Sequence, residues 1–292
     1  MGITQPRVMI KYRDPLFDTV IVHRDINYSE TADSSGARRS YLADLYEPAD
    51  DSSASRPLIV WIHGGGFKYG NKKTGGIPLW CKEFAKRGYV SAAINYRLSK
   101  KRPIKKFPDL VEACTNAVED LQNAIEFFKK NSRQFRIDTT RIIAAGNSAG
   151  AITALHAVYS SPGEMMHLIN RQGYDTLGKT HNAGGISAVV SFWGALFDSN
   201  WLRNATIPIV CAHGTKDKIV PFDHKGPIHG SLVIHRVADS LKIPNHLIVF
   251  PGYGHELQKH FNPFFAGRKT KDRWRQAAKG AAEFLYNEFF KK

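Results

Sequence analysis

Two hydrophobic rhythms alternate along the chain. Short apolar runs such as "PLIVWIHG" and "VVSFW" are continuous, the pattern of strands buried on both faces of a sheet. They predict strands at Leu58–Ile62, Val90–Asn95, Ile142–Ala145, Ile186–Phe192, Ile207–Ala212 and His246–Phe250. Two earlier runs, Thr19–Tyr28 and Ser40–Tyr46, mix polar with apolar positions and read as an antiparallel pair at one edge. Between the runs, apolar residues recur every three or four positions. The clearest case is Pro108–Lys130, where Leu110, Val111, Cys114, Ala117, Val118, Leu121, Ala124, Ile125 and Phe128 form one stripe. Pro108 opens that helix and Lys129-Lys130 close it, as the helix dipole favours. Further helices are predicted at Leu79–Arg87, Ala149–Tyr159, Ser231–Leu241 and Arg273–Phe290. Strands alternating with helices imply an α/β fold: a mostly parallel, eight-stranded sheet with helices on both faces. No repeat or linker divides the chain, so one domain is expected over 1–292. Ser160–Gly185, rich in Gly, Asn and polar residues, reads as a long excursion rather than a large separate cap.

Several predicted strands end in unusual turns. "RIIAAGNSAGAITALHAV" runs from strand to helix through Ser148, boxed in by Gly146 and Gly150. A tight strand-to-helix turn strains its central residue, and bulky neighbours two positions away on either side would collide. The geometry pushes Ser148 out at the carboxyl edge of the sheet, where open α/β folds place their sites. "LIVWIHGGGFKYG" ends its strand in His63 and three glycines, whose N–H groups can turn inward toward an oxyanion. Gly65 and Gly66, with Ala149 after the serine, are the expected donors, and His63 is expected to brace the loop. The run fits neither glycine-rich phosphate-binding pattern. "IPIVCAHGTKDKIVP" places Asp217 after a strand, and "HLIVFPGYGHE" does the same for His255. A serine hydroxyl needs an imidazole to take its proton, and the imidazole needs a carboxylate to orient it. Ser148, Asp217 and His255 supply these groups in that chain order. Asp198 and Asp223 are alternative acids, the second expected at a helix entrance, and His260 is the alternative base; His213 is expected to be structural.

Composition narrows the options. Lys and Arg number 41 against 26 Asp and Glu, a net charge of +15. The excess is patchy: "YRLSKKRPIKKF" holds six basic residues from Arg97 to Lys106, and "GRKTKDRWRQAAKG" forms a second block. Such blocks are either a solvated surface or a site for an anionic surface partner; no nucleic-acid-binding motif accompanies them, so nucleic acid is not expected. No run of 18 apolar residues exists, so no transmembrane segment is expected. The opening "MGITQPRVMIKYRDPLF" lacks a signal-peptide core, and because Met1-Gly2 could have replaced one, the compartment is left open. The three cysteines allow one bridge, with Cys81–Cys114 the candidate pair and buried thiols the default. His224, His229 and His235 lie close in sequence but match no metal-binding spacing, so no metal and no cofactor is expected.

Together, "HGGGF", "GNSAG", "HGTKDKIVP" and "GYGHE" make the chain resemble the α/β-hydrolase superfamily, and within it the bacterial esterase/lipase group with an HGGG oxyanion loop, akin to the hormone-sensitive-lipase type. "SYLADLYEP" and "FAKRGYVSAAINYRLS" also resemble small carbohydrate esterases of the feruloyl and acetylxylan kind. The resemblance spans Tyr41 to Phe290. It implies a cofactor-free serine carboxylesterase with Ser148 as nucleophile, His255 as base and then acid, and Asp217 as orienting acid. Its substrate would be a small-molecule or saccharide ester. Rival readings are a serine peptidase of the prolyl-oligopeptidase type and a non-catalytic binding member of the fold. The chain departs from the group at Asn147, where many members carry Asp. Phe67, Tyr69, Trp193, Phe197, Trp201 and Phe222 are candidates to line an aryl or sugar pocket, with core packing as the alternative. Oligomeric state is not legible in the sequence.

Overall fold

A computed structural model describes residues 8–29, 41–170 and 184–291. Eight strands form the main sheet: β1 (Val20–Asn27), β2 (Leu42–Pro48), β3 (Arg56–Ile62), β4 (Val90–Ile94), β5 (Ile137–Asn147), β6 (Ala188–Phe192), β8 (Ile209–Gly214) and β11 (Asn245–Phe250). They lie in the order β1-β2-β4-β3-β5-β6-β8-β11. Only β2 opposes its neighbours, pairing antiparallel with both β1 and β4. The remaining pairs are parallel, so β3, β4, β5, β6, β8 and β11 all end at one edge. A second small sheet joins β7 (Ala195–Leu196), β9 (His224–Lys225) and β10 (Ile228–Gly230). These strands are two or three residues long and too short to carry a period, so the sequence pattern does not announce them.

The helices are α1 (Ile77–Ala85), α2 (Phe107–Lys130), α3 (Ser132–Phe135), α4 (Ala149–Tyr159), α5 (Pro162–His167), α6 (Ser231–Ser240) and α7 (Arg268–Phe289). Period-two alternation splits the central strands between two cores. Leu58, Val60 and Ile62 of β3 pack with α2, α4 and α6. Ile59 and Trp61 face the other way, against α1 and α7. Trp61 stacks on Trp80 of α1, their ring centroids 5.3 Å apart. Each fully buried Leu, Ile, Val or Phe contributes about 1.5–3 kcal/mol, so the two layers hold the sheet rigid beneath its loops.

Cys81 lies in one core and Cys114 in the other, so the sheet separates them and the bridge allowed by the sequence does not form. Burial raises the thiol pKa of all three cysteines, Cys211 to about 12. They are packing residues.

The excursion expected over 160–185 is described only in part; residues 171–183 lie outside the described ones. Its described beginning folds as α5, where Ser161 and Glu164 cap the helix reciprocally. Met165 and Met166 are buried there, Met165 in the core shared with α2. Because α4 runs away from the edge where the parallel strands end, the excursion departs from the opposite edge of the sheet, and β6 begins there.

Candidate active site

The strand order reverses between β3 and its neighbours: β4 follows β3 on one side, and β5 returns on the other. Crevices form at such reversals beyond the carboxyl ends of the strands. Ser148 sits there, between β5 and α4, with φ 51° and ψ −121°. A Cβ on Gly146 would lie 2.3 Å from the carbonyl carbon of Gly150. One on Gly150 would lie 1.9 Å from the carbonyl oxygen of Ile62. Both glycines are therefore steric requirements of the turn that presents Ser148. The serine N–H donates to Phe192 O at 2.9 Å. Asn147 fastens the turn to the neighbouring loop, its Oδ1 accepting the Gly64 N–H at 3.0 Å.

The glycine loop follows β3. Gly65 and Gly66 hold φ values of 112° and 61°. A Cβ on Gly65 would lie 2.0 Å from Tyr69 O, whereas the Gly65 carbonyl accepts the N–H groups of Lys68 and Tyr69 at 3.1 and 3.0 Å. The N–H groups of Gly65, Gly66 and Ala149 make no hydrogen bond to another described residue. That of Ala149 also opens α4, where the helix dipole is positive. His63 donates from Nδ1 to Gly64 O at 2.7 Å and stacks on Tyr96, with ring centroids 4.4 Å apart. The Tyr96 hydroxyl donates to His63 O at 3.0 Å. Burial pushes the His63 pKa down from 6.5 to about 4, so this ring is a neutral brace.

The loops after β8 and β11 supply the other side chains. His255 Nδ1 lies 2.7 Å from Asp217 Oδ2, and His255 Nε2 lies 3.0 Å from Ser148 Oγ. A carboxylate only accepts, so Nδ1 carries the proton and Nε2 is free to accept from the serine hydroxyl. Asp217 Oδ1 accepts the N–H groups of Ile219 and Val220 at 2.8 and 3.0 Å. A second imidazole approaches: His213 Nε2 is 3.4 Å from Asp217 Oδ2 and donates to Val220 O at 3.1 Å, while its Nδ1 lies 2.8 Å from Ser231 Oγ. Burial alone raises the Asp217 pKa, but hydrogen bonds and charge from His213 and His255 outweigh it, and the carboxyl is held well below the usual range. The expected serine, histidine and aspartate thus meet in one hydrogen-bonded chain. The three free N–H groups lie on the turn and loop that flank the serine.

The BD-FAE family model matches residues 43–198, more than half of the chain. The chain belongs to the BD-FAE family. Among curated relatives, it is 25% identical to human (Homo sapiens) arylacetamide deacetylase-like 2 over 73% of this chain and 49% of that protein. It is 27% identical to the probable carboxylic ester hydrolase LipM of Mycobacterium tuberculosis over 70% of this chain and 40% of that protein. Gut esterase 1 of Caenorhabditis elegans is 33% identical over 32% of this chain and 17% of its own length. The chain thus spans no more than about half the length of these relatives. Among solved structures, apo Thermogutta terrifontis esterase 2 superposes with a TM-score of 0.63 at 22% identity, covering 91% of this chain and 94% of that one. The fold is that of the α/β-hydrolase esterases.

In this BD-FAE member the alternative site residues have other places. Asp198 caps a 3-10 turn, Ser199–Asn204, accepting from Asn200 N at 2.9 Å. Asp223 is not at a helix entrance: Gly230 precedes α6, and Asp223 is exposed beside His224. His260 is exposed. His229 accepts from Ser199 N, and His235 bonds Asn245, so the histidines of that region go to separate partners. Among the pocket candidates, Phe67, Trp193 and Phe197 are fully or almost fully buried and are packing residues. Tyr69 is 64% exposed, Trp201 is partly buried against His156, and Phe222 packs edge-on to His213. The sequence reading missed Phe261, whose ring meets His255 edge-on at 5.2 Å. It also missed the Asn147 tie and the His213 contact; the strand-end position of His213 was the available signal.

Proposed function

We propose that this protein is a serine carboxylesterase that works through an acyl-enzyme. The observation that carries this reading is the unbroken chain from Ser148 Oγ through His255 to Asp217, at 3.0 and 2.7 Å. His255 Nε2 takes the serine proton as Oγ attacks an ester carbonyl. The developing oxyanion is met by the N–H groups of Gly65, Gly66 and Ala149, each donor lowering the barrier by about 2.7–4 kcal/mol. The imidazolium is stabilised by Asp217 and returns its proton to the departing alcohol. Water, activated by the same imidazole, then releases the acid. The names of the relatives, an esterase and a carboxylic ester hydrolase among them, support the same reaction class.

The substrate is a short-chain or sugar- or aryl-linked ester, with the acetylxylan and feruloyl types as the narrower reading. Alkyl chains gain roughly 0.8 kcal/mol per buried CH₂ only if something covers them. The apolar residues at the start of the excursion, Met165 and Met166, are already buried, and the segment departs at the edge opposite Ser148. Measuring kcat/KM for 4-nitrophenyl acetate, butyrate, octanoate and palmitate tests this. The maximum is expected at acetate or butyrate. A maximum at octanoate or beyond contradicts the short-chain reading, and no hydrolysis of any ester contradicts the esterase.

A further inference from the structure

Large apolar side chains are exposed unevenly. Several of the most exposed stand on loops at the edge where the parallel strands end, the edge of Ser148. Tyr69 (64%) follows β3, Ile104 (65%) follows β4, Ile219 (53%) follows β8, and Phe264 (97%) and Phe265 (70%) follow β11. These loops touch one another. Ile104 lies against Gly66, whose added Cβ would come within 2.7 Å of it. Phe264 and Phe265 share a cleft with Gly75 of the β3–α1 loop. Exposed apolar groups gathered on the loops of one edge mark a surface made to be covered.

The same loops carry exposed cations. Lys105 and Lys106 follow Ile104, Lys216 and Lys218 flank Asp217, and Lys259 follows the His255 turn. None of these five forms an ion pair with another described residue. Other cations of the basic block are occupied differently: Arg97 is held by Asp120 and Glu119, and Lys101 by Glu112. These five lysines lie on loops that build the site. Apolar tips among these lysines fit a partner that is apolar inside and anionic at its face. A second copy of a chain with net charge +15 would bring like charge to like.

We propose that the rim around Ser148 docks on an anionic lipid surface, placing the serine over esters carried at that surface. Ile104, Ile219, Phe264 and Phe265 enter the headgroup boundary, and the lysines meet anionic headgroups. The docking is peripheral, since among the described residues no helix is long and apolar enough to cross a membrane.

Co-sedimentation with vesicles tests this, using phosphatidylcholine alone and phosphatidylcholine mixed with phosphatidylglycerol. The full chain is expected to be retained on the mixed vesicles and released as salt is raised. Lys105→Gln with Lys106→Gln should weaken retention roughly thirtyfold, equivalent to about 1 kcal/mol per lysine. Phe264→Ser with Phe265→Ser should abolish it while leaving hydrolysis of soluble 4-nitrophenyl acetate unchanged. That second measurement separates failure of docking from failure of the esterase. Phe264→Trp should shift its emission to the blue on the mixed vesicles. Equal retention on both vesicle types, retention unaffected by these variants, or capture only by a soluble polyanion such as heparin would each overturn the proposal.

Discussion

The two halves of the site are held by opposite means. On the serine side, missing side chains do the work: Gly146, Gly150 and Gly65 sit where a Cβ would lie 1.9–2.3 Å from backbone atoms. On the acid–base side, added side chains do it. Asp217 is gripped by two backbone N–H groups and approached by two imidazoles, and His255 takes its orientation from that carboxylate. The first half is steric and all-or-none. The second is electrostatic and graded, so each of its bonds can be weakened separately. Asn147 gives the steric half one polar tie, to Gly64 N.

The contrast makes predictions that differ in kind. Asp217→Asn keeps the shape of the acid–base half but cannot balance an imidazolium, and its amide favours the wrong tautomer. A loss of about ten-thousandfold in kcat is expected with the fold intact, as in the best-studied triad. Asp198→Asn, which alters only a 3-10 cap, should stay near the parent rate. Steady-state kinetics of the two variants check this, and the reverse order would move the acid to Asp198.

Gly150→Ala tests the steric half. Its Cβ would meet Ile62 O at 1.9 Å, and backbone cannot step aside as a side-chain tip can. Destabilisation of at least about 3 kcal/mol is expected, with activity and fold lost together. Gly75→Ala is the control: nothing lies within 4 Å, and only its φ of 60° is strained, a cost of about 1 kcal/mol. Urea unfolding of both variants separates collision from strain.

The smallest effect is a pH dependence of stability carried by His63. Its folded pKa is depressed from 6.5 to about 4 by burial. The unfolded chain therefore binds a proton in this window that the folded chain does not. Stability falls as pH drops from 6.5 toward 4, at up to about 1.4 kcal/mol per pH unit for this group. Unfolding free energies between pH 7 and 5 should show a shallower slope for His63→Asn than for the parent.

The sequence made the strand ends legible because the features that fix them are local. A continuous apolar run, then glycine, then a polar residue can be read without tertiary structure, and seven of the eight main-sheet strands lie within two residues of their expected ends. Strand β5 is the exception: it begins at Ile137 rather than Ile142, because Asp138, Thr139, Thr140 and Arg141 hide its first half. What the sequence did not reveal depends on direction and face. Cys81 and Cys114 read as a possible pair until the sheet is seen between them. Phe67, Trp193 and Phe197 read as candidates for a pocket or for the core because they follow strands, and all three turn into the protein. The stretch after α4 reads as a long excursion of unstated direction, and only the path of α4 shows that it starts at the far edge. The approach of His213 to Asp217 is a long side-chain contact that no periodicity encodes.

The central claim is that Ser148 is the activated nucleophile, and covalent trapping tests it most directly. The protein is incubated with paraoxon, the reagent that phosphorylates Thermogutta terrifontis esterase 2, and its peptides are then mapped by mass. The account predicts one diethylphosphoryl group per chain, on the peptide carrying Ser148, appearing in step with loss of esterase activity and absent from Ser148→Ala. An adduct on another residue, or full activity after Ser148 is modified or replaced, would contradict it.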